Sequence, residues 1–146
     1  MAERPPKLLG WREWVGLPGL KVPTIKAKVD TGARTSTLHA IDVTPVVEGG
    51  KRRLRFRVLP QQDRRDVTIA CIADMVDQRL VSSSTGQREL RWVIRTPLRI
   101  GDQSWPIEVT LTDRDSMQFR MLLGRTALAG RFVVDPTHSF LIGPPR

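Results

Sequence analysis

The sequence predicts an all-β fold. Three observations carry that reading: apolar residues recur mostly at every second position, Gly, Pro, Asp and Ser punctuate the chain at short intervals, and only Thr126 to Gly130 invites a short helix. Taken in order, Ile25, Ala27 and Val29 alternate with Thr24, Lys26 and Lys28, the pattern of a half-buried strand. Glu48-Gly49-Gly50-Lys51 is a hairpin turn signal, since glycine supplies the positive φ such turns require. In Arg53-Leu54-Arg55-Phe56-Arg57-Val58 the apolar side chains point one way and the arginines the other. We read that arginine face as solvated rather than as an anion track. Strands are expected near 67–72, 78–83 and 87–94, with a turn at Ser83-Ser84-Thr85-Gly86 between the last two. A turn at Gly101-Asp102 precedes Ile107, Val109 and Leu111, which alternate with Glu108, Thr110 and Thr112. Strands near 117–123, 131–134 and 139–142 complete the expected set.

At 146 residues the chain fits one domain, residues 1–146, large enough to bury a core without staples. Cys71 has no second cysteine in the chain to pair with, and a reducing compartment suits it. No stretch approaches the ~18 apolar residues of a membrane span and the N-terminus lacks a signal-peptide core, so a soluble cytoplasmic protein with no membrane partner is expected. The net charge of +9 favours anionic partners without identifying them. Tyrosine is absent, and the aromatic-basic interleaving of an RNA-binding sheet is missing, which weakens a nucleic-acid reading without removing it.

The strand from Ile25 to Val29 runs straight into Asp30-Thr31-Gly32-Ala33. A carboxylate so placed has a known use: two that share one proton can hold a water between them and cleave a peptide bond without metal or covalent intermediate. Gly32 lets backbone approach the carboxylate and offers its N–H, Thr31 supplies a hydroxyl to lock the loop, and Ala33 leaves room for a partner loop. A string of this kind arises by chance in roughly one chain of this length in a hundred; the alternative is an aspartate that only caps a turn. A second segment shifts the balance. Met121-Leu122-Leu123-Gly124-Arg125-Thr126-Ala127-Leu128 is an apolar strand ending in Gly-Arg before a helical turn. Together the two resemble the retropepsin-like aspartic peptidases, a half-barrel fold with an early Asp-Thr-Gly loop and a late apolar-apolar-Gly-Arg segment. Their separation of 94 positions calls for extra strands between them.

More closely, Lys28-Val29-Asp30-Thr31-Gly32-Ala33-Arg34-Thr35-Ser36, Val81-Ser82-Ser83 and Phe119-Arg120-Met121-Leu122-Leu123-Gly124-Arg125 resemble a bacterial family. It is often labelled "ATP-dependent zinc protease" and is associated with a glutamate ligase that modifies a ribosomal protein. The resemblance runs from Trp11 to the end. The residues support neither word of the label: His39, His138 and Cys71 lack ligand spacing, and Gly49-Gly50-Lys51 is a hairpin turn rather than a phosphate loop. No metal and no cofactor is expected.

Only one Asp-Thr-Gly occurs, so a two-carboxylate site needs a second copy related by a twofold axis. The resemblance implies that Thr31 of each copy bonds into the other's loop, that Gly124 and Arg125 support the site, and that a hairpin flap covers the substrate. The flap candidate is Arg79 to Trp92, which would bring Ser83, Ser84 and Gly86 to the substrate beside Ala33 and Arg34. Viral members usually carry Asp at the position of Arg34, paired with the arginine of Gly-Arg; here a like charge would face Arg125, which then needs another acceptor. Arg34 is free to meet an acidic substrate. His39 reads as a structural histidine, and Trp11, Trp14, Trp92 and Trp105 as packing residues. The expectation is a homodimeric aspartic peptidase, with Asp30, Thr31 and Gly32 as its catalytic loop, acting on peptides, acidic or polyglutamate chains among them. Its rivals are a non-catalytic peptide-binding or regulatory module of the same fold and a small basic β-barrel that binds RNA.

Overall fold

The computed structural model describes residues 5–61, 64, 66–82, 85–114 and 116–145. Ten strands lie among them: β1 (Lys7–Gly10), β2 (Arg12–Leu17), β3 (Val22–Val29), β4 (Ser36–Glu48), β5 (Lys51–Val58), β6 (Ile69–Ser82), β7 (Arg88–Ile100), β8 (Gln103–Thr112), β9 (Met121–Leu123) and β10 (Phe132–Asp135), with a 3-10 turn at Pro18–Leu20 and one α-helical turn, α1 (Arg125–Leu128). Strands β2 to β9 form one sheet in the order β2-β3-β9-β4-β5-β6-β7-β8, and the further pairings β2–β7 and β4–β8 curl it on itself. Strands β1 and β10 make a separate parallel pair. The fold is therefore all-β with one short helix, as expected.

Hairpins supply most of the order. Gly49 and Gly50 at φ 58° and 78° turn β4 into β5, and Gly101 at φ 59° turns β7 into β8. Leu54, Phe56 and Val58 enter the core as their alternation requires, beside Ile25, Leu38, Leu98 and Met121. Of the arginines opposite them, Arg53 pairs with Glu48 at 3.2 Å and Asp74 at 3.1 Å.

Several expected boundaries shift. The strands foreseen at 67–72 and 78–83 are the two ends of β6, whose register slips between Met75 and Asp77; a bulge there breaks the period that would have shown them as one. Strand β7 passes the expected end at 94 and crosses Pro97, which lies opposite Pro106, a position where neither proline has to donate. Only Met121–Leu123 of 117–123 is strand. Residues 139–142 are not strand, because Phe140 takes φ 55° and the following N–H groups turn to a side chain. That side chain is Glu13, fully buried, whose carboxylate accepts from the N–H of Gly10, Leu141 and Ile142. The tryptophans pack: Trp11 edge-on to Phe119, Trp14 stacked on Phe140, and Trp105 against Phe132 with its Nε1–H donated to the Ala127 carbonyl.

Candidate active site

Strand β3 ends at Val29 beside Leu123 of the parallel β9, and the Asp30 N–H continues the ladder by donating to the Leu123 carbonyl at 2.9 Å. The chain then turns, with Ala33 N–H on the Asp30 carbonyl at 3.1 Å. Asp30 is half-buried, and its Oδ1 accepts the Gly32 N–H at 3.0 Å. No other side chain pairs with this carboxylate among the described residues. Thr31 stands exposed next to it, its hydroxyl without a hydrogen bond among the described residues.

The late segment closes on this loop from behind. Gly124 donates to Ser36 Oγ at 3.0 Å, Arg125 N–H to the Ala33 carbonyl at 2.8 Å, and Thr126 bonds the Arg34 carbonyl through its N–H at 3.1 Å and its hydroxyl at 2.6 Å. A β-carbon at Gly124 would lie 2.6 Å from the Thr35 carbonyl carbon, so the approach admits glycine alone. The acceptor that Arg125 needed is the Gly32 carbonyl, 3.1 Å from its Nη1. The guanidinium thus braces the carbonyl of the residue whose N–H serves Asp30, and no acid at position 34 is required.

Arg34 lines a recess of about 260 Å³ with Thr35, Arg79, Arg95, Glu108 and Thr126 among its walls. Sequence reasoning missed Arg95, Arg91 and Glu108 as parts of this neighbourhood. The register places them: Arg79 lies opposite Arg91, Arg95 opposite Glu108, and Thr110 between Val93 and Thr37, so these side chains share one face of the sheet. The signal lay in the two-residue spacing of Arg91, Val93 and Arg95, but it needed the strand pairings to become a surface. Arg79 is held by Glu108 at 2.9 Å and Asp77 at 3.1 Å.

The hairpin expected as a flap is present as β6 and β7, paired out to Ser82 and Arg88. Ser83 and Ser84 lie outside the described residues. Gly86 sits at the exposed tip at φ 82°, with nothing within 4 Å of a β-carbon there, so no contact among the described residues brings it to the Asp30 loop. Leu80 and Leu90 face each other across the hairpin, 64% and 57% exposed, an apolar pair without cover in the isolated chain.

A family model for RimB-like proteins, the retropepsin-like aspartic endopeptidase RimB, matches residues 8–145. The chain belongs to that family. Proteins named probable alpha-L-glutamate ligase from Parasynechococcus marenigrum and Shewanella pealeana are 48% and 43% identical over 139 and 136 residues, which is 95% and 93% of this chain. The chain spans 30% of the length of each of these relatives. A crystal structure of a Legionella pneumophila protein of unknown function matches with a TM-score of 0.78 at 28% identity, covering 93% of this chain and 98% of that one. The zinc in the label often attached to such chains finds no fitting donors among the described residues. Among the described residues no group of three or more His, Cys, Asp or Glu could hold a metal ion. Cys71 is buried, its thiol pushed up to about 11 by desolvation, while His39 Nδ1 accepts the Arg114 N–H and His138 Nδ1 lies against Asp135 and Thr137. No helix among the described residues is long and apolar enough to cross a membrane.

Proposed function

We propose that this RimB-like domain is an aspartic peptidase that works as a homodimer, two Asp30 side chains holding one water. The observation that carries the reading is a carboxylate fixed by Gly32 and braced by Gly124 and Arg125, with one of the two required acids in the chain. In the paired site the ionised carboxylate takes a proton from water as the water oxygen bonds to the scissile carbonyl carbon. The protonated carboxylate gives its proton to the carbonyl oxygen, and collapse of the tetrahedral centre breaks the C–N bond as the nitrogen leaves protonated. Thr31, exposed and without a hydrogen bond among the described residues, is available to the partner's loop. Leu80 and Leu90 give the flap an apolar surface to lay over a bound chain.

The arginines around the recess favour an acidic peptide substrate, with Arg34 and Arg95 as the cations that line it together with Arg79. The relatives' name points the same way: a domain carried in proteins called glutamate ligases is suited to a glutamyl chain, the product of such a ligase. The test is cleavage of poly-glutamyl and neutral peptides by wild type, Asp30→Asn and Arg34→Glu. Asp30→Asn should abolish cleavage with folding intact, and Arg34→Glu should slow acidic peptides while sparing neutral ones. Equal effects on both peptide classes would remove Arg34 from substrate selection. No cleavage by wild type would favour a binding module that serves a ligase; steeply salt-dependent RNA binding indifferent to Asp30 would favour the RNA-binding barrel.

A further inference from the structure

Arg91 is not called for by the paired-carboxylate chemistry, yet it is placed at a cost. Its side chain is 6% exposed on β7. A guanidinium drawn out of water loses several kcal/mol of hydration, and an apolar side chain at such a position is often as stable or more so. Its compensation is one carboxylate, Glu89 at 3.0 Å, and one hydroxyl, Thr37 Oγ1 at 3.5 Å from Nη1. Stability is a poor reason for this residue.

The hydroxyl contact leads to the catalytic loop. An arginine only donates, so Thr37 Oγ1 accepts from Arg91; its own proton goes to Thr110 Oγ1 at 3.0 Å, because the Thr110 proton is spent on a carbonyl. Thr110 in turn donates to the Ser36 carbonyl at 3.3 Å, and the Ser36 hydroxyl oxygen receives the Gly124 N–H at 3.0 Å. Gly124 leads directly into Arg125, which grips the carbonyls of Ala33 and Gly32. Two sets of hydrogen bonds, joined through the covalent frame of Ser36, therefore link the flap strand to the loop that carries Asp30. The Ser36 carbonyl, which can only accept, sets the direction of the Thr110 and Thr37 protons, and the cation at the head of that short chain strengthens its bonds by polarising them.

We propose that Arg91 is a positioning residue: from the flap strand it sets the Thr37, Thr110 and Ser36 contacts that hold Gly124, and so the placement of the Asp30 loop. Its kinetic consequence rests on the peptidase reading of Asp30; its structural consequence does not. The experiment compares full-length wild type with Arg91→Met, which keeps length and loses every donor, with Arg91→Lys, with Thr37→Val and with the Arg91→Met/Thr37→Val pair. In amide NMR spectra, Arg91→Met and Thr37→Val should each shift the Gly124 and Gly32 signals, and the pair should shift them no further than one alone. In kinetics, both should lower kcat on the order of tenfold or more with little change in KM, as expected when reacting groups are misplaced; Arg91→Lys should recover part of the loss.

Unmoved Gly124 and Gly32 amides in a folded variant would overturn the proposal, as would additive losses in the pair or a loss confined to KM. Should Arg91→Met fail to fold, Thr37→Val decides by the same two readouts. Shifted amides in a wild type that cleaves no peptide would leave the positioning role standing and remove the peptidase reading. Asp30-dependent cleavage with kcat indifferent to Arg91 and Thr37 would do the reverse.

Discussion

Gly124 is the position beside the Asp30 loop where a single added carbon has a large consequence. Its β-carbon would meet the Thr35 carbonyl carbon and oxygen at 2.6 and 2.8 Å, both backbone atoms that cannot swing aside. We expect Gly124→Ala to lower the unfolding free energy by about 1–3 kcal/mol, the usual range for overpacking, measured by urea titration. Gly32→Ala makes the contrast: its nearest new neighbour is Asp30 Oδ1 at 3.2 Å, so the loop shifts while the fold holds. Elsewhere, Asp135 takes hydrogen bonds from the Thr137 hydroxyl and N–H and lies 2.7 Å from His138, and these hold its carboxyl below the ordinary value of 3.8. A depressed folded pKa adds stability that is complete above the ordinary value and is lost as pH falls through the lowered one. An NMR titration should therefore place the Asp135 midpoint below 3.8, and Thr137→Val should raise it; an unchanged midpoint would deny the hydroxyl its role. Arg125 shows where residue-level reading stopped. The like charge of Arg34 was visible, but the Gly32 carbonyl that takes the guanidinium was not, because backbone acceptors leave no mark in a side-chain pattern.

Among the elements, β5 could be read directly because each alternate residue is either core or solvent. Strand β6 could not, since its bulge changes the phase midway, and β1 and β2 were missed because Lys7-Leu8-Leu9-Gly10 and the run through Gly16 show no clean alternation. The C-terminal segment misled for another reason: its apolar residues suggested a strand, but its N–H groups are spent on Glu13 rather than on a neighbouring backbone. That carboxylate ties the segment after β10 to the turn between β1 and β2. Glu13→Ala would leave the N–H groups of Gly10, Leu141 and Ile142 without their acceptor. A loss of about 2–3 kcal/mol is expected, with faster hydrogen exchange at Leu141 and Ile142 than at amides of β5. Exchange that rises equally everywhere would mean that the segment has no local unfolding of its own.

For the whole molecule, what matters is which distant parts meet. The Asp30 loop and the Gly-Arg segment come together through the parallel pairings β3–β9 and β4–β8, which join early and late strands and have no local periodic signature. Each half of the site was legible as a string; their meeting was legible only by resemblance to the retropepsins. The arginine-bearing face is a stronger case, because Arg79, Arg91, Arg95 and Arg34 come from three separate stretches that only the closed sheet unites. The catalytic reading makes a demand of the same scale, since a chain with one Asp-Thr-Gly must find a second copy. Wild type mixed with about a tenfold excess of Asp30→Asn and allowed to exchange subunits should lose about tenfold in activity, because nearly every active chain then sits beside an inactive one. Dilution of wild type alone should lower activity per chain once the dimer dissociates, and sedimentation should show the same transition. A monomeric enzyme would ignore both treatments, and activity unchanged by the Asp30→Asn excess, in a sample shown to exchange subunits, would end the two-carboxylate account of this domain.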